Sequence, residues 1–286
     1  MYIPRRILEK RLQELLIEDL GEGDITTGCL VPLETKAHAA IVAREDGIAA
    51  GLKEVVILFE TLGLEAKALK GDGSAVKRDE ELLEIRGDAS AILTAERTAL
   101  NLLGRMSGIA TETQQILTAL RRAGYKVRVA CTRKTAPGLR YFDKRAVELG
   151  GGDTHRLHLD DMILIKDNHI TVAGSLEEAI SRAKAKASFS KKIEVEVGSC
   201  EEALKAASLE VDAILLDNMT VEEVRETLAE LERAGLRRRT LVEVSGGIDR
   251  ENIIEYAAVG PDVISLGYIT TSPRALDVAL EIKEVI

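Results

Sequence analysis

Apolar residues at 7, 8, 12, 15 and 16 recur at helical spacing through residues 4–20, and Gly21-Glu22-Gly23-Asp24 then ends the helix they predict. Between 36 and 86 the pattern changes. Residues 37–43 and 82–85 read as strands and 52–62 as a helix, with glycines at 47, 51, 63, 71, 73 and 87 between them. This stretch lacks a strand–helix–strand rhythm and is expected to form a separate small α+β domain. Residues 89–123 predict two successive helices, 89–105 and 111–122, with a break near Ser107-Gly108.

From residue 127 the rhythm becomes regular. Short apolar runs at 127–132, 162–165, 193–195, 213–216, 241–244 and 263–266 alternate with amphipathic helical stretches, and the runs start roughly 20 to 35 residues apart. Parallel βαβ units follow, six visible strands against the eight of a complete barrel. The expected fold is an incomplete (β/α) barrel of six to seven parallel strands over 111–272, with a smaller N-terminal α+β domain over 1–110. Residues 273–286 are helical by pattern and are expected to pack back on the N-terminal domain. A barrel with missing strands has an open edge, and proteins cover such edges; another domain or a second subunit is expected to do so.

Composition narrows the function classes. Cys29, Cys131 and Cys200 are far apart with no Cys-x-x-Cys spacing, so buried structural thiols are expected rather than a disulfide or a cysteine-held metal. No run of about 18 apolar residues occurs and the opening Met-Tyr-Ile-Pro-Arg-Arg is followed by a charged amphipathic segment, so a soluble cytoplasmic protein without a membrane partner is expected. A net charge of −9 with 3% aromatic residues leaves neither the basic surface nor the stacking rings that nucleic acid requires. An anionic ligand must therefore meet a local cluster of cations. Gln and Asn are scarce while Glu, Lys and Arg are abundant, a composition that suggests a thermophile.

That cluster can be read at the strand ends, which in a parallel barrel open onto one face. The first strand runs into Arg133-Lys134, a bidentate anion grip beside a point charge, and into the turn Pro137-Gly138. Gly150-Gly151-Gly152 precedes Asp153-Thr154-His155-Arg156, and three glycines allow a ligand close to the backbone. They match neither the dinucleotide fingerprint nor the P-loop. The second strand ends in Lys166, costly there unless it meets an anion or loses its proton; a Schiff base and an anion-binding ammonium are both open. The third and fourth strands end in Glu196 and Asp217, and the last two in Ser245-Gly246-Gly247 and Gly267, where barrels commonly hold phosphate.

The census of charges favours the ammonium. Arg133, Lys134, His155, Arg156 and Lys166 suit a polyanion, while Glu196 and Asp217 suit Mg²⁺ carried by a phosphorylated substrate. Arg97, on a helix outside the barrel, reads by itself as solvated, Arg237-Arg238-Arg239 as an exposed loop, and His155 with His158 as lacking further zinc ligands in sequence.

Together these residues resemble the quinolinate phosphoribosyltransferase family over essentially the whole chain. The resemblance rests on Gly23-Asp24-Ile25-Thr26-Thr27, Glu96-Arg97-Thr98-Ala99-Leu100-Asn101, Thr132-Arg133-Lys134-Thr135, His155-Arg156, Ile165-Lys166-Asp167-Asn168-His169, Glu194-Val195-Glu196, Leu216-Asp217-Asn218 and Ser245-Gly246-Gly247. It implies a homodimer, or an assembly of dimers, in which one subunit's N-terminal domain caps the other's barrel and Arg97 enters the neighbour's site. It further implies that Arg133, Lys134, His155, Arg156 and Lys166 bind quinolinate and phosphoribosyl pyrophosphate, with Lys134, Glu196 and Asp217 central to catalysis. Glu196 and Asp217 would hold the ribose hydroxyls and Mg²⁺, through water in the metal's case, and Ser245, Gly246, Gly247 and Gly267 would hold the 5′-phosphate. Many relatives read Gly-Gly-Gly-His-Asn-His-Arg where Asp153-Thr154 stand here, and a histidine commonly stands at the position of Thr271. Two other functions fit parts of the pattern: a nicotinate phosphoribosyltransferase without decarboxylation, and a noncatalytic phosphosugar-binding barrel that would not need Lys134, Glu196 and Asp217 together.

Overall fold

The apolar runs become strands in the computed structural model, which describes residues 3–286; Met1 and Tyr2, at the head of the opening segment, lie outside the described residues. Helices α1 (Arg5–Leu20) and α2 (Ile25–Leu30) precede β1 (Lys36–Ala43), β2 (Gly47–Ile48), α3 (Leu52–Thr61), β3 (Glu65–Ala68), β4 (Ala75–Val76) and β5 (Glu81–Asp88). Next come α4 (Ala89–Arg122), β6 (Arg128–Cys131), α5 (Arg140–Leu149), β7 (Ile163–Ile165), α6 (Asp167–Ala173), α7 (Leu176–Lys186) and β8 (Ile193–Val197). The chain ends with α8 (Cys200–Ser208), β9 (Ala213–Asp217), α9 (Val221–Arg233), β10 (Leu241–Ser245), α10 (Ile253–Ala258), β11 (Val263–Leu266), α11 (Tyr268–Thr271) and β12 (Val278–Val285).

Two compact units divide these elements. The first holds the segment ending at Gln114, Tyr141–Gly151 and Ser272–Ile286; the second holds Gln115–Arg140 and Gly152–Thr271. Most of α5 thus groups with the first unit although it follows a barrel strand. Arg105 donates to both oxygens of the fully buried Asp143 at 2.7 and 2.8 Å, and Gly150 lies so near Ala110 that a Cβ would stand 2.6 Å from its carbonyl oxygen.

In the first unit an antiparallel sheet runs in the order β12-β1-β5-β3. β1 is buried on both faces through Ala39, Ala40, Ile41, Val42 and Ala43, as a central strand should be. Two expectations fail here. Residues 273–286 do return to the N-terminal unit, but as the strand β12, registered with β1 from Ala37–Val285 to Ala43–Val278. An isolated helix would leave the ladder groups of β1 unpaired on that side, and pairing satisfies them, with Val278, Ile282 and Val285 suited to a strand.

The second failure is the break predicted at Ser107-Gly108: α4 is one helix of 34 residues. The small residues serve contact rather than termination. Leu276 donates its N–H to the Gly104 carbonyl at 2.9 Å, and a Cβ on Gly108 would overlap the Arg274 carbonyl. Ser107 Oγ accepts from the Ala50 N–H at 3.0 Å, and Thr111 Oγ1 accepts from that of Ile48 at 2.8 Å. A glycine pair that reads locally as a helix end is thus a docking surface.

The second unit carries six parallel strands in the order β6-β11-β10-β9-β8-β7. Neighbours from β7 to β11 follow chain order and β6 joins beside β11, the layout of an incomplete α/β barrel open between β6 and β7. On the free edge of β6, Asp153 makes a parallel bridge to Ala130, donating to the Val129 carbonyl at 2.8 Å and accepting from Cys131 N–H at 3.0 Å. The expected six to seven strands are six plus this bridge.

Local chemistry starts the outer helices. Ser175, Ser199 and Thr220 cap α7, α8 and α9, each side chain accepting from the N–H of a glutamate three residues on. At the strand starts, Asp212 accepts from Ile193 N–H at 2.8 Å and Asp262 from Val242 N–H at 2.7 Å. Arg237, expected in an exposed loop, instead pairs with Asp262 at 2.7 Å. Among the cysteines only Cys131 is buried; Cys29 on α2 is exposed and Cys200 is intermediate, so burial holds for one thiol of the three, and none of them forms a disulfide among the described residues.

Candidate active site

Strand alternation decides which acids turn inward. In β8, Ile193, Val195 and Val197 are buried on one face, leaving Glu194 and Glu196 on the other. Glu196 stands at the C-terminal end and takes an ion pair from Lys166 Nζ, which enters from the end of β7. Asp217 ends β9, opposite Ser245 at the end of β10. Its pKa is raised, first by burial and then by the charge of Glu196, against the pull of Lys166 and Lys134. Two carboxylates and two ammonium groups therefore feel one another at adjoining strand ends.

The guanidinium groups form the other half. Burial and the nearby positive charge of Arg133 lower the pKa of Arg156, while Glu194, Asp161 and Glu196 act against that. Arg133 Nε is buried with no hydrogen-bond partner among the described residues. Two cations held close, one with an orphaned donor, make an arrangement that an anion relieves.

The glycine ends lie on the same rim. Gly246 has φ +95°, and a Cβ there would run into Asn218, itself left-handed at φ +56°. The Asn218 N–H donates to the Ser245 carbonyl at 2.9 Å and its amide donates to Asp217 Oδ2 at 2.6 Å, so the two strand ends brace each other. Gly267 abuts Lys134, whose Cδ would be 3.4 Å from a Cβ placed there. Thr270 Oγ1 donates to the Lys134 carbonyl at 2.8 Å and the Lys134 N–H donates to Thr132 Oγ1 at 3.1 Å, fixing the backbone while leaving the side chain exposed.

His155 takes part differently from the other cations. Its backbone is left-handed at φ +50°, and its N–H donates to Asp153 Oδ1 at 2.7 Å. Asp153, one of the departures from the family pattern, therefore holds this turn. Nδ1 accepts from the Arg156 N–H at 2.6 Å, and Nε2 faces Glu194 Oε2 at 3.4 Å and Glu243 Oε2 at 3.3 Å. Burial lowers the His155 pKa, while Glu194 and Glu243 raise it. The Glu194 pKa is raised, chiefly by burial. Both ring nitrogens are thus engaged within the chain.

The expected barrel residues Arg133, Lys134, His155, Arg156, Lys166, Glu196, Asp217, Ser245, Gly246, Gly247 and Gly267 all lie in the second unit. Arg97 lies in the first unit, exposed on α4. His155 and His158 fall in separate clusters, the second with the exposed Asp160 and Asp161. The site reading gave no role to Glu194, Glu243 and Asn218. The signal for the acids was present, because a glutamate flanked by β-branched apolar residues, as Glu194 is in Ile193-Glu-Val and Glu243 in Val242-Glu-Val, is expensive to bury and needs a partner. At 1% and 3% exposure both are buried.

Comparison with known proteins bears on this geometry over the whole fold. Residues 24–107 match the N-terminal domain and 109–281 the C-terminal domain of the quinolinate phosphoribosyl transferase models. A probable nicotinate-nucleotide pyrophosphorylase [carboxylating] of Methanothermobacter thermautotrophicus is 46% identical over 95% of this chain and 98% of its own. The nicotinate-nucleotide pyrophosphorylase [carboxylating] of Mycobacterium leprae is 40% identical over 95% of each chain. The crystal structure of NadC from Streptococcus pyogenes superposes with a TM-score of 0.89 at 34% identity, covering 100% of this chain and 99% of that one. The strand-end charges and both domains thus agree with one assignment: the chain belongs to the quinolinate phosphoribosyltransferase family.

Proposed function

We propose that the protein transfers the phosphoribosyl group of phosphoribosyl pyrophosphate to quinolinate with loss of CO₂, giving nicotinate mononucleotide and pyrophosphate for NAD biosynthesis. The observation that carries this reading is the orphaned Arg133 Nε beside Arg156, set against Glu196 and Asp217 across the same rim. Both substrates are polyanions, and one of them brings a ribose whose hydroxyls need acceptors.

Arg133 and Arg156, with Lys134 and Lys166, hold the two carboxylates and the pyrophosphate, the guanidinium pair taking the carboxylates, while Ser245, Gly246, Gly247 and Gly267 cradle the 5′-phosphate. As the C1′–O bond breaks, its electron pair leaves with pyrophosphate, and positive charge on the ribose develops near Glu196 and Asp217. The pyridine nitrogen forms the new bond to C1′. Its quaternary charge then accepts the pair released when the C2–carboxylate bond breaks, and C2 takes a proton from water. The cations orient carboxylates and need move no proton.

Glu196 and Asp217 suit Mg²⁺: they are hard oxygen donors, partly exposed, and near enough for one to raise the pKa of the other. When bound, Mg²⁺ supplies positive charge to the departing pyrophosphate. No described helix is long and apolar enough to cross a membrane; the soluble substrates suit the cytoplasm.

The test is incubation with quinolinate, phosphoribosyl pyrophosphate and Mg²⁺, with CO₂ and nicotinate mononucleotide measured. Product from both, abolished by chelation of Mg²⁺, is expected. Turnover of nicotinate but not quinolinate replaces this reading with the non-decarboxylating one, and binding without turnover replaces it with a binding barrel.

The site is further proposed to be shared within a homodimer, in which Arg97 reaches the partner's barrel. Support comes from its exposure on α4. Arg97→Ala and Lys134→Ala are each expected to lose about 10²-fold in kcat. Mixed and reassorted in equal amounts, they should recover about a quarter of wild-type activity, because each mixed dimer keeps one intact site of two. No recovery would end the shared-site proposal.

A further inference from the structure

Glu194 and Glu243 touch neither the proposed substrates nor the proposed metal, yet they are buried within strands of the barrel at 1% and 3% exposure. Acids so placed persist only where something pairs with them. What pairs with them is the imidazole of His155, whose Nε2 stands 3.4 Å from one carboxylate and 3.3 Å from the other.

Two readings compete for this triad. Three ligand atoms within 4.8 Å of one another have the spacing of a tetrahedral metal centre. Coordination would use the Nε2 lone pair and so place the ring proton on Nδ1. The Arg156 N–H points at Nδ1 from 2.6 Å, and two donors cannot face each other there. The proton therefore sits on Nε2, between the carboxylates, and Nδ1 keeps its lone pair for the Arg156 amide. The same hydrogen bond works against a second ring proton on Nδ1, opposing the pull of the two carboxylates.

We propose that Glu194 and Glu243 are positioning residues that hold His155 in its Nε2–H form, so that Nδ1 anchors the Arg156 backbone and sets the Arg156 guanidinium beside Arg133 to receive a substrate carboxylate. His155 acts through Arg156 instead of contacting substrate. The left-handed backbone of His155, with its N–H fixed to Asp153, is what turns the ring back toward the following amide. This deepens the proposed function and rests on it in taking Arg156 as a carboxylate ligand.

The test uses the whole protein with ¹⁵N-labelled histidine, the His155 ring signals being assigned by their loss in His155→Gln. At neutral pH the wild type should show one ring proton, on Nε2. Glu243→Leu should lose the pure Nε2–H signature and weaken quinolinate binding about tenfold, the low end of what removing an orienting outer partner costs. Its KM for phosphoribosyl pyrophosphate should stay within about twofold, since the guanidinium pair serves quinolinate. Glu243→Gln, whose amide oxygen still accepts from Nε2–H, should restore both the signature and the binding. A ring proton on Nδ1 in the wild type, or wild-type quinolinate binding by Glu243→Leu, overturns the proposal. Should Glu243→Leu not fold, the wild-type and Glu243→Gln spectra decide. The tautomer is read without substrate, so a wild type that turns over no quinolinate would sink the proposed reaction while leaving this measurement to stand or fall separately.

Discussion

Replacing Arg133 by alanine should lower kcat/KM for quinolinate by about 10²–10³-fold, roughly 3–4 kcal/mol of transition-state stabilisation, while leaving the folded state as stable as before or slightly more so. The two halves of that expectation share one cause. Arg133 Nε is a buried donor without an acceptor, and the charge of Arg133 lowers the pKa of its neighbour Arg156. In the free protein the pair is therefore a repulsive contact, held by the packing around it. The repulsion is relieved when a dianionic substrate arrives, so the guanidinium contributes to the complex and not to the fold. Removing it should also let the Arg156 pKa rise toward its ordinary value. Arg133→Lys keeps the charge but not the fork, and should recover only part of the rate. Steady-state kinetics with both substrates, together with chemical denaturation, check both halves. A rate loss under about fivefold, or a stability loss of about 2 kcal/mol or more, would remove Arg133 from the role of substrate ligand.

Gly108→Ala should destabilise the protein by about 2–3 kcal/mol, although alanine is the better helix former by about 1 kcal/mol. The new Cβ would overlap the carbonyl of Arg274, and that carbonyl cannot easily withdraw. Leu276 is tied to the Gly104 carbonyl at 2.9 Å and Ser107 is bonded to Ala50. Either α4 or the strand approach must shift, and both are pinned. Gly28→Ala supplies the control: Gly28 lies in α2, where a Cβ meets nothing within 4 Å, so the substitution should be neutral or stabilise by up to about 1 kcal/mol. Opposite signs for one chemical change at two helical glycines isolate the tertiary contact as the cause. If Gly108→Ala unfolds at the wild-type denaturant concentration, the close approach of residues 274–276 to α4 is wrong.

The places where sequence reasoning failed share a physical character. Ser107-Gly108 and residues 273–286 were judged on local pattern, and each took its conformation from the other side of a contact. The helix continues because residues 274–276 need the space a glycine leaves, and the final segment is a strand because β1 offers it a row of unpaired backbone groups. The residues of the proposed site show the same division. Lys166, Glu196 and Asp217 were legible because a charge closing an apolar strand has few structural uses. Glu243 showed its need of a partner but not which one, because that partner is a histidine 88 positions earlier, from 155 to 243. Asn218 stood in view next to Asp217, but only the packing of Gly246 against it shows why it belongs there.

By itself, then, the amino-acid order determined the parallel strand–helix rhythm of the second half, the caps that start its helices and the identity of the charges at its strand ends. Each of these follows from interactions within a few residues or from a periodicity that every strand repeats. Only the tertiary structure decided the unbroken course of α4, the strand conformation of the C-terminal segment and the inward turn of His155 to Glu194 and Glu243. Those outcomes depend on groups far apart in the chain whose burial or hydrogen bonding outweighs local preference, and no pattern along one segment carries the position of its partner.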